Sequence, residues 1–101
     1  MRPIYHSVIG PTLTQDATLT IAAPGVGKRN SLTYIVVEST AAGDVTIASG
    51  TNKAIFAIVA NTPFFKRWPL GMPLRGNENT TLTISVSGGG NYNITHGGFV
   101  Q

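Results

Sequence analysis

Cysteine is absent from this chain of 101 residues. That excludes a disulfide framework and any thiolate metal site. Charge is scarce as well: 11% of the residues are charged, against roughly 25% in ordinary soluble domains. With 42% hydrophobic residues, the chain has too much apolar content for a disordered segment. Many outward positions must then be Thr, Ser, Asn or apolar groups, a surface that solvates poorly and favours contact with a partner. Long hydrophobic runs are missing. The longest, residues 54–60, is far too short to span a bilayer, and Met1-Arg2-Pro3-Ile4-Tyr5-His6 has no signal-peptide core. The expectation is a soluble, single-domain protein kept in a cytoplasm, with no membrane partner.

The chemistry-bearing side chains are few and dispersed. The acids are Asp16, Glu38, Asp44 and Glu78, and the histidines are His6 and His96. No two of these sit at metal-ligand spacing, and a zinc or iron site would need the fold to unite both histidines with a carboxylate. No Gly-x-Ser-x-Gly elbow occurs, and the acids fall in turn-like or solvent-facing segments rather than in a facing pair. Neither an enzyme nor a bound cofactor is expected. Of seven basic residues, only Lys28-Arg29 and Lys66-Arg67 are adjacent. Nucleic-acid binding needs cations concentrated along a groove or helix with stacking aromatics, so no nucleic-acid partner is expected.

One stretch, Ala22-Ala23-Pro24-Gly25-Val26-Gly27-Lys28-Arg29, echoes a phosphate-binding loop. It has Ala22 where that loop needs Gly, Arg29 where it needs Ser or Thr for magnesium, and a strand pattern where a helix should follow. It reads as a Pro-Gly turn. Asn79-Thr80-Thr81 and Asn93-Ile94-Thr95 match the glycosylation pattern by chance, since Asn and Thr are abundant here.

Hydrophobic periodicity is two almost throughout. In residues 80–87, Leu82, Ile84 and Val86 fall on one face, and Thr81, Thr83, Ser85 and Ser87 on the other. Thr18-Leu19-Thr20-Ile21 and Val45-Thr46-Ile47 repeat the pattern with β-branched residues suited to a pleated surface. Turn clusters at 42–44, 49–52, 76–79 and 88–91 separate candidate strands. The spacing predicts strands near 4–9, 17–22, 31–38, 44–48, 54–60, 63–66, 80–87 and 92–100. About eight short strands of this kind point to an all-β, jelly-roll-like two-sheet sandwich. The segments 32–37 and 54–60 are apolar on both faces, so each needs a second cover. Either the 68–74 loop folds over them or a second copy of the chain does. The N-terminal residues 1–6 pair as an edge strand or extend as an arm onto a neighbour.

Residues 64–75 concentrate interface-type side chains: the only Trp, half of the Phe residues, Met72 and three cations. Such residues are enriched at protein contacts, and Pro69 and Pro73 lower the ordering cost. The candidate contact residues are Arg2, Ile4, Tyr5, Phe65, Lys66, Arg67, Trp68, Leu70, Met72 and Arg75. The alternative is that Trp68 and Leu70 plug one end of the sandwich. Loop aromatics also stack on sugar rings, as in a carbohydrate-binding module.

The order of these segments resembles a group of short virion proteins of tailed bacteriophages. Their pattern has an Ala-Pro-Gly-x-Gly-Lys turn, a strand ending in Ser-Gly, and a hydrophobic strand with a polar turn and an aromatic. A Pro/Gly/aromatic loop, a Leu-Thr-x-Ser-type strand and a Gly-rich hairpin follow. Here the pieces are residues 23–28, 45–50, 54–65, 68–75, 81–87 and 88–100. The resemblance implies a capsid decoration (cement) protein on the outer surface of the head. Such a protein is often a homotrimer at three-fold positions, bracing the major capsid protein against DNA pressure. The alternative is a tail or fibre module recognising a glycan or a host-surface protein.

Overall fold

A computed structural model describes residues 4–14 as a strand path, and residues 18–69 and 71–101 with their surroundings. Among the described residues nine strands are present: β1 (Ile4–Thr14), β2 (Thr18–Ile21), β3 (Asn30–Ser39), β4 (Gly43–Ser49), β5 (Asn52–Ile58), β6 (Phe64–Arg67), β7 (Leu74–Arg75), β8 (Leu82–Val86) and β9 (Asn91–Val100). They form two antiparallel sheets. One has the order β1-β9-β3-β6, with β7 sharing the β6 edge of β3, and the other has the order β2-β8-β4-β5. The antiparallel pairs are nested along the chain: β1 with β9, β2 with β8, β3 with β6 and β4 with β5. Winding such a nested ribbon so that β9 also meets β3 and β8 meets β4 produces the jelly roll.

The alternating segments behave as their sequence dictates. In β8, Leu82, Ile84 and Val86 are buried while Thr83 and Ser85 are half-exposed. Paired β4 adds Val45 and Ile47 to the same inner face, opposite Val86 and Ile84. From the other sheet, Leu32, Ile35, Val37, Tyr92 and Ile94 complete the core. Each such side chain contributes about 1.5–3 kcal/mol on burial. The outer face of the β8 sheet is hydroxylated, with Thr18 and Ser85 hydrogen-bonded at 3.0 Å. The β4–β5 hairpin closes through Gly50-Thr51 between the paired residues Ser49 and Asn52. Gly50 has φ 58°, the sign that two-residue hairpin turns demand.

Two departures from simple alternation have a common cause. In β3, Leu32 lies opposite Gly98 and Tyr34 opposite Gly97, so Thr33 is an extra residue, a β-bulge. The bulge keeps Leu32, Ile35 and Val37 all pointing inward and turns Tyr34 and Val36 outward, which is why this strand reads as apolar on both faces. The partner strand accommodates it with two glycines. A methyl group added at Gly97 would strike the Tyr34 ring, and one at Gly98 the Ser31 carbonyl. In β1 the register shifts between Ile9 and Thr12. Gly10 and Pro11 sit in that irregularity on an edge strand, a place in a sheet that tolerates Pro. The strand therefore runs on to Thr14 rather than stopping at residue 9. Residues 4–6 belong to β1, paired with β9, while residues 1–3 of the expected arm lie outside the described residues. The two-residue strand β7 has no counterpart among the strands expected from periodicity.

Ile84 is fully buried at the centre of the inter-sheet layer. Ile84→Asp is expected to abolish folding, because a charge buried there costs several kcal/mol. Loss of the β-sheet circular dichroism signal checks this, and a variant with a native spectrum and melting curve would contradict the face assignment.

Candidate functional site

The open side of the sandwich, where edge strand β5 stands over edge strands β6 and β7, carries the features expected of a contact surface. Four of the five large hydrophobic side chains exposed among the described residues lie there. They are Ile55 (58% exposed), Val59 (65%), Phe65 (59%) and Met72 (77%), and Val26 is the fifth. Their exposure follows from strand periodicity. In β5, Ala54 and Phe56 turn inward while Lys53, Ile55 and Ala57 turn outward. In β6, Phe64 and Lys66 turn inward while Phe65 and Arg67 turn outward.

Beneath this surface an aromatic cluster closes the gap between the sheets. Phe56 and Phe64 lie 5.5 Å apart between ring centroids. Trp68 meets Phe56 edge-on at 6.3 Å, a favourable T-shaped geometry. The Trp68 backbone N–H donates to the Thr33 carbonyl at 2.7 Å, extending the β6 edge by one bond. The Lys66 ammonium lies 5.9 Å from the Trp68 ring centroid, within cation–π range. Trp68 and Leu74 both pack against the core. They seal the edge, and Trp68 with Pro69 also borders the outward Tyr34 of β3.

Cations dispersed in the sequence collect on this same side. Lys53 of β5 and Arg75 of β7 line one recess beside Leu74 and Leu82. A second recess, of about 450 Å³, is walled by Thr33, Tyr34, Phe65, Arg67, Trp68 and Pro69. Asp44, exposed on the outer face, lies opposite Ala57 near the far end of β5. The side is thus basic at the start of β5 and acidic at its end.

Of the sequence-derived contact residues, Phe65, Lys66, Arg67, Trp68, Met72 and Arg75 come together here. Ile4 and Tyr5 do not join them: they lie on β1, the opposite edge of that sheet, separated from β6 by β9 and β3. At the usual strand spacing this is about 14 Å. Arg2 and Leu70 lie outside the described residues. Sequence reasoning omitted Ile55, Val59 and Lys53 from the contact set; the two-faced apolarity of residues 54–60 was the signal for Ile55 and Val59, and nothing in the sequence singled out Lys53.

The other motifs resolve into structure. Residues 22–29 form a loop, with a turn from the Lys28 N–H to the Gly25 carbonyl at 3.1 Å, and β3 follows it. The Gly25 N–H donates to Asn79 Oδ1 at 3.0 Å, and Arg29 Nη1 to the Gly76 carbonyl at 3.2 Å. These bonds tie the loop to the 76–79 turn. His96 is buried between the sheets near Leu19, Ile21, Asn30 and Val100. His6 stands on the neighbouring strand opposite Gly98. Among the described residues no group of three or more His, Asp or Glu side chains is placed to hold a metal ion, and Glu38, Asp44 and Glu78 are exposed.

The two halves of this surface are separable by mutation. Trp68→Ala removes a ring packed on the core and is expected to cost about 2 kcal/mol, lowering the melting temperature by about 10 °C. Phe65→Ala is expected to leave stability within about 0.5 kcal/mol. Thermal melts of both variants check this, and equal melting temperatures would contradict the distinction. Compared with known proteins, the chain matches no protein-family model and no curated protein sequence.

Proposed function

We propose that this chain is a phage capsid decoration protein that attaches to the outer surface of the head through the β5–β7 side and stabilises the shell. The observation that carries the reading is the run of exposed apolar side chains along one edge of the sandwich: Ile55 on the outer face of the β5 sheet with Val59 just beyond it, Phe65 on the outer face of the β6 sheet, and Met72 in the turn between β6 and β7. Exposed apolar groups flanking one edge of a chain with so little charge are the mark of a binding surface. The strand and turn order described above supplies the virion context, and the major capsid protein is the partner that context implies. Each contact is weak by itself, but copies repeated over a symmetric shell act together. Lost rotational freedom is then shared, and many weak contacts add up to stable attachment.

A second reading is a tail or fibre module that recognises a glycan. It is favoured by the recess beside Tyr34, Phe65 and Trp68, whose aromatic walls present flat apolar faces with a polar rim.

Quantitative mass spectrometry of purified particles separates the two. A decoration protein is expected at about one copy per capsid subunit, or one trimer per three-fold site. A few dozen copies or fewer would move the chain to the tail, and absence from particles would overturn both virion readings. Phe65→Ala is expected to weaken binding to particles lacking the protein by about tenfold, as for the loss of an aromatic anchor. Its melting curve should stay native. Undiminished binding would remove Phe65 from the interface.

A further inference from the structure

The edges of the two sheets are not equally protected. A sheet edge offers a row of backbone donors and acceptors to any passing strand, and proteins blunt such edges with prolines, bulges, short strands or charges. Edge strand β1 carries Gly10-Pro11 and a register shift. Edge strand β2 has four residues. On the remaining edge of that first sheet, β6 has four residues and β7 two, with Pro69 and Pro73 between them. Strand β5 has only one of these devices, a single charge. It runs seven residues in unbroken register with β4, contains no Pro, and has Lys53 as its one charge.

We infer that β5 is the docking edge for a second copy of this chain, pairing antiparallel with the partner's β5 about a two-fold axis at Ile55. The side-chain pattern is self-complementary in the register that overlaps the whole strand, Asn52 opposite Ile58. Ile55 then faces its own copy on the outer face, joining two half-exposed apolar groups. Phe56 faces Ala54 on the inner face, large against small, as sheet packing prefers. Lys53 faces Ala57, whose neighbour across β4 is Asp44. All three of these side chains project from the same outer face, and Lys53 and Asp44 are both exposed. An ammonium on one copy is thereby brought beside a carboxylate on the other, twice over by symmetry. Arg75, which shares a recess with Lys53, adds to the basic end that meets the acidic end. Charge complementarity of this kind sets register and orientation. The second four-stranded sheet would continue across the axis into the partner's.

This contact rests on the strand edge and its charges, not on the virion reading, and it closes at two copies. A trimer would have to use another surface.

Sedimentation equilibrium of the full-length chain tests it. A reversible monomer–dimer equilibrium is expected. Ile55→Lys places like charges directly opposite at the axis and is expected to leave a monomer with a native circular dichroism spectrum. Lys53→Asp and Asp44→Lys should each weaken dimerisation by about tenfold, since two attractive pairs become repulsive. The double variant carrying both changes should recover to within about threefold of the parent, because the pairs are restored with reversed sign. A strictly monomeric parent at high concentration would overturn the inference. So would an oligomer indifferent to Ile55→Lys, or a double variant no better than the singles.

Discussion

Everything in this molecule hangs on one layer of apolar side chains between two sheets. Leu32, Ile35, Val37 and Ile94 meet Val45, Ile47, Leu82, Ile84 and Val86 across it, and no disulfide shares the load. The layer can form only when both ends of the chain have come back together, since β1 pairs β9 and β2 pairs β8. The loops are in turn anchored to that closure. Arg29 and Gln101 exchange backbone hydrogen bonds at 2.8 and 3.0 Å, which fixes the last residue of the chain to the start of β3. A surface on such a scaffold is held rigidly by its strands, so contact residues on β5 and β6 come pre-organised.

The sequence revealed the fold wherever alternation was intact. In β8 and β4, the period-two pattern of Leu, Ile and Val against Thr and Ser translates directly into buried and half-exposed positions, and Gly-rich clusters mark the reversals. It obscured the fold where a bulge intervened. Thr33 shifts the phase of β3 by one residue, so an outward Tyr34 and Val36 look like core. Gly10-Pro11 looks like a strand end but is an irregularity within β1. β7, at two residues, is too short to show a period. The contact surface was half legible. The composition of residues 64–75 pointed to it, yet composition does not say which way a ring turns. Trp68 turns inward to Phe56, whereas Phe65, three positions earlier, turns out. The approach of Lys53 to Arg75 depends on β5 and β7 ending at the same corner of the sandwich, which is a property of topology alone.

The two halves of the open side divide the work. The inner aromatics Phe56, Phe64 and Trp68 supply closure, and the outer Ile55, Val59, Phe65 and Met72 supply stickiness. A scarcity of charge makes that division possible, because neither sheet's outer face is heavily armoured against contact. In the proposed reading such a protein acts by adhering, with its few charges setting the selectivity. The proposed pairing at β5 takes up Ile55, and the proposed attachment to a capsid then rests on Val59, Phe65 and Met72 along the same edge, where the sandwich is tightly closed inside and apolar outside.

Hydrogen–deuterium exchange of the chain in its native assembly, set against the same chain free in dilute solution, tests that fact most directly. Slower exchange in the assembly is expected for residues 52–59 and 64–75, with β2 and β8 unchanged. Equal exchange of residues 52–59 and 64–75 in both states, or protection centred on β2 and β8 instead, would contradict the assignment of the β5–β7 side as the contact surface.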